Sequence, residues 1–356
     1  MKTRITLLPG DGIGPEVIEA AVSVLQQVAV LNQHEFVFET HLIGGCAIDA
    51  TGSALPQVSQ NACLSSDSVL LGAVGGPQWS DPQAPVRPEQ GLLALRGLLN
   101  VFANVRPVKI FPRAAQYSPV KLERLQDVDF VFVRELTGGS YFGKKTRDAD
   151  LASDACRHIV IEIERVAHKA FQLAQSRRKK VTSIDKANVL ETSRLWRETV
   201  NHVAKHYPDV KLEHQLVDSM AMLLVTNPAD YDVLVTENLF GDILSDEAAV
   251  LAGSLGLLPS ASLGVGSRGL YEPIHGSAPD IAGKSIANPI GCILSAALML
   301  RYSFGLEREA TEIEAAVAEV IEHAELTRDL SGTASTQQIT QAVIAALHQL
   351  QQTKAA

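Results

Sequence analysis

Two aspartates, Asp242 and Asp246, stand four residues apart in a segment with helical spacing, so both carboxylates should leave one face of a helix. Like charges at this spacing repel each other, and a solvated surface face is the ordinary interpretation. A divalent cation would reverse the sign of that interaction, because Mg²⁺ and Mn²⁺ prefer hard oxygen ligands. The pair therefore indicates a metal site only if substrate, water or another group completes the coordination.

Three arginines stand where a guanidinium group could bind a carboxylate or a phosphate. Arg96 ends a leucine-rich segment, Arg106 precedes Pro107, which favours extended backbone, and Arg134 ends an apolar run. Guanidinium groups at strand ends are suited to forked binding of anions. Taken singly, each arginine also fits a surface ion pair.

Two further side chains could transfer protons. Tyr141 lies in a glycine-bounded segment, and Lys186 directly follows an apolar run that predicts a strand. A packing tyrosine and a surface lysine are the alternatives. Both residues become candidates for chemistry only if other groups hold a substrate nearby.

The segment 270–289 is rich in small residues, which would let a flat ligand approach the backbone N–H groups. Within it, His275, Asp280 and Asn288 offer ring and amide contacts. Long segments without regular structure in compact proteins are usually functional. A long surface crossover is the alternative.

The turn Gly10-Asp11-Gly12-Ile13-Gly14-Pro15 follows a predicted strand and opens a predicted helix, as a dinucleotide-binding fingerprint does. Its spacing differs, because that fingerprint has its third glycine two residues later. A Gly-Lys-Ser/Thr ending of the P-loop type is also missing from the sequence. We favour a structural turn, and direct phosphate binding remains the alternative.

Alternating patterns indicate the elements that must position these residues. Short apolar runs predict strands at 5–8, 69–74, 129–136, 181–184 and 231–236. Helical spacing predicts helices after residues 16, 158 and 236, and at 290–304, 308–326 and 336–351. The alternation predicts an α/β protein with a largely parallel sheet. Composition alone leaves open whether the last hundred or so residues form a separate domain.

Composition excludes several classes of protein. The chain has 356 residues, with 31 basic against 40 acidic side chains and a net charge of -9, which argues against nucleic-acid binding. The longest apolar stretch, 290–300, is too short to span a bilayer, and we expect no membrane association and a cytoplasmic location. Wide spacing predicts reduced thiols at Cys46, Cys63, Cys156 and Cys292.

Taken in order, the motifs resemble those of the isocitrate/isopropylmalate dehydrogenase family, the β-decarboxylating dehydrogenases of 2-hydroxy acids. The resemblance covers essentially the whole chain, and it is specific because of the order of the motifs. It is carried by residues 10–15, 92–96, 102–107, 134–139, 141–143, 185–189, 238–246 and 275–280.

The resemblance implies an isopropylmalate dehydrogenase-like fold of two α/β domains around a cleft, which is not a Rossmann fold. Residues 1–101 and 254–356 would together form the cofactor-binding domain. Residues 102–253 would form the middle domain, with the metal site and a homodimer interface. Lys186 and Asp218 would reach the active site of the other subunit, so that two chains share each site.

The resemblance also implies a role for particular residues, and it alone assigns Asp218. Catalytic proton transfer would involve Tyr141 and Lys186. The metal ligands would be Asp218, Asp242 and Asp246. Substrate binding would involve Leu92, Leu93, Arg96, Arg106, Arg134, Val189 and Asp218. NAD binding would involve Gly76, Glu89, His275, Gly276, Ser277, Ala278, Pro279, Asp280, Ala287 and Asn288.

The implied activity is the oxidative decarboxylation of 3-isopropylmalate to 4-methyl-2-oxopentanoate in leucine biosynthesis, with NAD and Mg²⁺ or Mn²⁺. Asp280 favours NAD over NADP, because its carboxylate would repel a 2′-phosphate. Leu92 and Leu93 suit an isopropyl group, whose burial contributes roughly 2 kcal/mol. Enzymes acting on tartrate, malate or homoisocitrate share these motifs and remain alternatives, as does a catalytically silent regulatory subunit.

Overall fold

A computed structural model describes residues 1–81 and 83–355 and divides the chain into two compact units. The first unit consists of Met1–Asn100, Phe111–Tyr117 and Ser254–Ala356, and the second of Val101–Ile110 and Ser118–Gly253. The expected boundaries assign 111–117 to the middle domain. The structure places this segment in the first unit, where Arg113 donates to the carbonyl oxygens of Ile321, Glu322 and Ala324 at 3.3, 3.2 and 2.6 Å.

The N-terminal part of the first unit begins with a strand, a glycine turn and a helix, as predicted. Its elements are β1 (Lys2–Gly10), α1 (Gly14–Asn32), β2 (Glu35–Thr40), α2 (Gly45–Thr51), α3 (Gln57–Ser65), β3 (Ser68–Ala73) and α4 (Pro88–Leu98). Short 3₁₀ helices lie at Pro77–Trp79 and Ala114–Tyr117.

The second unit alternates strands and helices. Its elements are β4 (Ala103–Lys109), β5 (Asp129–Glu135), β6 (Lys145–Arg147), β7 (Ala152–Asp154), α5 (Val160–Gln175), β8 (Lys180–Asp185), α6 (Glu191–Ala204), β9 (Lys211–Leu216), α7 (Val217–Thr226), β10 (Val233–Thr236) and α8 (Asn238–Ala249). Its 3₁₀ helices are Leu122–Arg124, Pro228–Asp230 and Val250–Ala252.

The C-terminal segment completes the first unit. Its elements are β11 (Pro259–Leu263), β12 (Gly269–Pro273), α9 (Ile290–Phe304), α10 (Glu307–His323) and α11 (Thr336–Ala355). Its 3₁₀ helices are Leu255–Leu257 and Arg328–Leu330.

In the first unit the strands lie in the order β2-β1-β3-β12-β11. The pairs β1–β2, β1–β3 and β3–β12 are parallel, and β11 runs antiparallel to β12. Every residue of β3 is buried, as its continuous apolar run predicts for a strand covered on both faces. The turns that follow β1 and β3 therefore meet at one edge of the sheet.

In the second unit the strands lie in the order β4-β5-β10-β8-β9. The strands β5, β10, β8 and β9 are parallel, whereas β4 is antiparallel to β5. Thr236 at the end of β10 is paired with Arg134 on one side and Ile184 on the other. The segments that carry Tyr141, Lys186 and Asp242 thus all leave the carboxyl edge of this sheet.

The predicted strands and helices are present, but the segment 270–289 is more regular than predicted. Its first residues, Leu270 to Pro273, belong to β12, which pairs with β11 and, through Leu270 and Tyr271, with β3. Glycine and proline, which begin and end β12, are poor strand formers by themselves. Pairing with strands distant in sequence overrides that preference here, and the irregular part begins at Ile274.

Among the described residues, one helix, α1, is long and apolar enough to cross a membrane by length and composition alone. Core helices of soluble proteins pass the same test. Nine residues of α1 are buried, and the helix packs against β3, α9 and α11. Its apolar side is therefore used in the core of the first unit.

Two glycines of α4 offer a matched test of this packing. A Cβ atom at Gly91 would lie 2.5 Å from the backbone oxygen of Ala54, whereas one at Gly97 would meet nothing within 4 Å. We expect Gly91→Ala to lower the free energy of unfolding by about 1–3 kcal/mol through overpacking. Gly97→Ala should raise it by up to about 1 kcal/mol, because alanine is the better helix former.

Urea unfolding of both variants, followed by circular dichroism, measures the difference. Equal midpoints for the two variants would contradict the tight approach of α4 to residue 54.

Candidate active site

Helix α8 begins where β10 ends, and its N-terminus is capped by the residue before it. The Glu237 carboxylate accepts hydrogen bonds from the backbone N–H groups of Leu239 at 3.0 Å and Phe240 at 2.9 Å. A negative charge at this end of a helix is favourable, since the first N–H groups lack helical partners. The cap fixes where α8 begins. Within this helix Asp242 and Asp246 lie one turn apart.

Arg134, near the end of β5, is almost fully buried, with 3% of its side chain exposed. Its Nε and Nη2 donate to the Asn238 side-chain oxygen at 3.0 and 2.8 Å. Its Nη1 donates to Asp242 Oδ1. Asp242 and Asn238 lie one turn apart on α8, so a single guanidinium group binds both.

Arg106, on β4, lies against both aspartates of α8. Its Nη1 donates to Asp246 Oδ1 at 3.1 Å and to Ser245 Oγ at 2.7 Å, and its Nη2 lies 3.9 Å from Asp242 Oδ1. The Arg106 Nε donates to the Asn104 side-chain oxygen at 2.6 Å. The positive charge of Arg106 offsets the repulsion that the spacing of the two aspartates would otherwise cause.

The Tyr141 hydroxyl donates to Asp242 Oδ2 at 2.6 Å, and the Arg134 guanidinium lies 5.7 Å from the centre of the Tyr141 ring. Burial, followed by the hydrogen bond to Asp242 and its negative charge, raises the pKa of Tyr141 to about 12, against a smaller lowering by Arg134. Burial alone would raise the pKa of Asp242, but Arg134, Tyr141 and Arg106 together lower it. At neutral pH the site thus holds a protonated phenol beside an ionised carboxylate.

Lys186 and Asp218 form a second charged pair in the same unit. Lys186 follows β8, Asp218 lies in the first turn of α7, and the Lys186 ammonium donates to Asp218 Oδ1 at 2.6 Å. The hydrogen bond from Lys186 lowers the pKa of Asp218. In the part of the chain that the structure describes, no three His, Cys, Asp or Glu side chains are grouped closely enough to hold a metal ion. One chain by itself does not bring Asp218 together with Asp242 and Asp246.

The remaining residues with a predicted substrate role have other surroundings, each described within its own unit. Arg96, in the first unit, donates to Glu272 Oε1 at 2.9 Å. Leu92 and Leu93 are half-buried and stand one turn before Arg96 on α4. Val189, in the second unit, is 62% exposed.

The predicted adenosine loop borders a cavity of about 320 Å³ in the first unit. His275 lies there with its Nε2 buried and without a hydrogen-bond partner, and burial lowers the pKa of this imidazole. Asn288 is buried and donates to Asp329 Oδ2 at 3.0 Å. The cavity wall thus presents a neutral ring and an amide. Other predicted residues of the wall are Ala278 and Ala287.

Other predicted cofactor residues differ in exposure. Ser277 is buried, and its carbonyl oxygen accepts from the Ile13 N–H at 2.8 Å. Asp280 is exposed, and the Lys284 ammonium donates to its carbonyl oxygen at 2.7 Å. Within the segment 76–89, Pro82 lies outside the described residues. Among the other residues predicted to bind the cofactor, Glu89, Gly276 and Pro279 are exposed and Gly76 is half-buried.

Four residues that hold the charged groups were not predicted. Asn238 precedes Asp242 by one helical turn, so helical periodicity places the two on one face. Asn104 precedes Arg106 by two residues of a strand, so strand periodicity places these two on one face as well. Ser245 adjoins Asp246 in sequence. Glu272 had no such signal, because its contact with Arg96 depends on the fold.

The sequence matches the family described as isocitrate/isopropylmalate dehydrogenase over residues 4–343. The chain belongs to this family. A 3-isopropylmalate dehydrogenase of Bacillus licheniformis is 58% identical, covering 98% of this chain and 96% of the relative. The 3-isopropylmalate dehydrogenase of Bacillus subtilis is 55% identical over 98% of each chain.

Solved structures of the family have the same fold. The isocitrate dehydrogenase of Methylococcus capsulatus aligns with a TM-score of 0.86 at 36% identity, covering 97% of this chain and 99% of that one. A β-decarboxylating dehydrogenase of Thermococcus kodakarensis aligns with a TM-score of 0.84 at 37% identity, covering 99% and 98%. The predicted family and fold class are confirmed, and so is the prediction of an enzyme.

The contact between Tyr141 and Asp242 can be tested by titration. In Asp242→Asn the pKa of Tyr141 should fall from about 12. The variant removes the negative charge that favours the neutral phenol and leaves Arg134, which favours the phenolate. Spectrophotometric titration of tyrosinate in the wild type and in Asp242→Asn, each minus the titration of the same protein with Tyr141→Phe, isolates this phenol in both. An unchanged pKa in Asp242→Asn would contradict the hydrogen bond.

Proposed function

We propose that this chain catalyses the oxidative decarboxylation of 3-isopropylmalate to 4-methyl-2-oxopentanoate with NAD as the oxidant, a step of leucine biosynthesis. The observation that carries the proposal is the cluster of Arg106, Arg134, Tyr141 and Asp242, in which two cations, a phenol and a carboxylate meet. The identity to 3-isopropylmalate dehydrogenases over nearly the whole chain supports this substrate.

Asp242 and Asp246, with Asp218 from the partner subunit, would hold Mg²⁺ or Mn²⁺. The donors fit a hard cation, because they are carboxylate oxygens and because the neighbouring charges lower the pKa of Asp242 and keep it ionised. A bound divalent cation supplies Lewis acidity at the substrate's hydroxyl and, later, carbonyl oxygen.

The chain's own side chains position the diacid and move its protons. Arg106 and Arg134 would bind the carboxylate oxygens of the substrate, because guanidinium groups suit planar anions. Arg96, Leu92, Leu93 and Val189 are assigned to the substrate by the family resemblance alone. Lys186, held by Asp218, would accept the hydroxyl proton once it is neutral, and Tyr141 would donate its proton to the carbon from which CO₂ departs.

For NAD, the fitting features are the cavity beside His275 and the unpartnered buried Nε2 of that ring. NAD bound there would supply the oxidant, a hydride acceptor for C2 of the substrate. Residues Ala278, Ala287 and Asn288 would surround the adenosine, and Asp280 would bind the ribose hydroxyls. Gly276, Ser277 and Pro279 shape the loop, while Gly76 and Glu89 would border the nicotinamide.

The enzyme would act as a homodimer in which each site uses two chains. Helices α7 and α8 pack together and leave large apolar side chains exposed, among them Met222 at 65% and Ile243 at 60%. An apolar face of this kind is suited to pairing with a second copy of itself. The four cysteines are free thiols, in keeping with a cytoplasmic location for this biosynthetic enzyme.

Steady-state kinetics with NAD and Mn²⁺ test the substrate. We expect kcat/KM for 3-isopropylmalate to exceed those for isocitrate and malate by at least about thirtyfold, the value of burying an isopropyl group. Leu92→Ala combined with Leu93→Ala should lower kcat/KM for 3-isopropylmalate and leave that for malate unchanged, since malate carries no such group. If kcat/KM for malate, tartrate or homoisocitrate exceeded that for 3-isopropylmalate, that compound would be the substrate and the proposal would be wrong.

Mixing two inactive variants tests whether sites are shared. Lys186→Ala and Asp242→Asn, unfolded and refolded together, form mixed dimers in which one site has neither substitution. Random pairing should restore about a quarter of wild-type activity. Mixing Tyr141→Phe with Asp242→Asn provides the control, because both residues would belong to the same half of the site and no intact site forms. A site contained within one chain predicts no recovery in either mixture.

A further inference from the structure

Asp11 is buried, at 4% exposed, and its carboxylate accepts three backbone hydrogen bonds. Oδ2 accepts from the N–H groups of Gly45 and Gly75, and Oδ1 from that of Cys46, each at 2.7 Å. Hydrogen bonds to an ionised acceptor are short and about twice as strong as neutral ones. This carboxylate therefore joins three segments of the first unit.

Two of the joined segments adjoin residues with a predicted cofactor role. Asp11 follows β1, Gly45 and Cys46 open α2, and Gly75 follows β3. The same turn is tied to the adenosine loop, because Ile13 N–H donates to Ser277 O at 2.8 Å. The turn that carries Asp11 thus contacts both Gly75, which precedes Gly76, and Ser277 of the adenosine loop.

Glycines on both sides of Asp11 permit these close contacts. Gly10 and Gly12 have φ values of +71° and +58°, and a Cβ atom at either would lie 1.9 Å from a carbonyl oxygen, that of Ala73 or of Ser277. A side chain at either glycine would push the turn away from β3 or from the adenosine loop. The glycines therefore serve close packing in this turn.

Three backbone N–H groups of the turn, those of Asp11, Ile13 and Gly14, already donate to carbonyl oxygens. Asp11 N–H donates to Ala73 O at 2.8 Å and Gly14 N–H to Asp11 O at 2.9 Å. The Asp11 carboxylate would in addition repel a phosphate. The structural interpretation of this glycine-rich turn is therefore the better one.

The segment after Gly75 is attached at a second point. The Trp79 ring covers Gly45, where a Cβ atom would lie 2.3 Å from ring atoms, and its Nε1 donates to Asp49 of α2 at 3.0 Å. A Cβ atom at Gly75 would lie 3.2 Å from Glu89 Oε1. Asp11 thus fixes α2 and Gly75, and α2 in turn fixes Trp79.

We propose that Asp11 is a positioning residue that holds the segment 75–79, beside Glu89, in the conformation that receives the nicotinamide half of NAD. The inference rests on the proposed function, because that function gives the segment its role. Asp11 itself touches neither reactant. Its effect on turnover is transmitted through the backbone of Gly75.

Asp11→Asn tests the proposal. The amide keeps the shape of the side chain but has one acceptor oxygen and no charge for three N–H donors, so at least one bond is lost. We expect KM for NAD to rise about tenfold or more. The dissociation constant of AMP and KM for 3-isopropylmalate should stay within about twofold, since the Ile13–Ser277 bond does not involve the carboxylate.

Acrylamide quenching supplies a readout of the segment itself without substrate. The chain has two tryptophans, and Trp196 is buried at 2% exposed, so quenching reports chiefly on Trp79. Quenching should increase in Asp11→Asn. Asp67→Asn is the matched control, because Asp67 also accepts a backbone hydrogen bond in this unit, from Arg4 N–H at 2.8 Å, but is exposed. In this control, KM for NAD, KM for 3-isopropylmalate, the dissociation constant of AMP and the acrylamide quenching should all match the wild type.

A lowered melting temperature with unchanged KM for NAD and unchanged quenching would overturn the proposal and leave Asp11 a purely structural residue. Equal losses of NAD and AMP binding would overturn it too. Should Asp11→Asn fail to fold, Trp79→Leu loosens the same segment, and unchanged KM for NAD there would count against the proposal. A wild-type chain without dehydrogenase activity would refute the proposed function, whereas quenching and nucleotide binding would still test the positioning.

Discussion

The second unit depends on one electrostatic constraint: the buried guanidinium of Arg134 must be neutralised where β5 ends. An unpaired charge at 3% exposure would cost several kcal/mol. Asp242 supplies the opposite charge, and Asn238 supplies a second acceptor. Both acceptors lie on α8, so the helix must start directly after β10, which is paired with β5 through Thr236 and Arg134. The position of the helix and the ionisation of its aspartate thus have one cause.

That constraint also sets the chemistry available to Tyr141. The phenol donates to the carboxylate that Arg134 holds ionised, and the same carboxylate raises the pKa of the phenol. The charges of Arg106 and Arg134 balance those of Asp242 and Asp246, so the cluster is close to neutral without any bound ion. The phenol therefore stays protonated at physiological pH and carries a proton that it can donate.

The sequence predicted this site unevenly, for physical reasons. The spacing of Asp242 and Asp246 placed them on one helix face, because helical periodicity is local. Which arginine would bind them depended on the register of β5 against β10, and apolar runs do not encode register between distant strands. Asp218 had no local signal and was assigned through the family resemblance alone. Strand β12 was missed, because its glycine and proline gave a weak local preference that pairing with β3 and β11 overrode.

Both units use the first turn of a helix to hold a negative charge, and this explains why the turn at Asp11 resembles a phosphate-binding loop in sequence. At α8 the carboxylate of Glu237 accepts from the first N–H groups, and at α2 that of Asp11 does so from Gly45 and Cys46. Helix N-termini favour anions of any kind. In a dinucleotide-binding loop the anion is the ligand's phosphate, whereas here it belongs to the protein. In such a loop the glycines allow a phosphate to approach the backbone, whereas here Gly10 and Gly12 allow the carbonyl groups of Ala73 and Ser277 to approach. Similar residue types therefore produce internal packing in place of a binding loop.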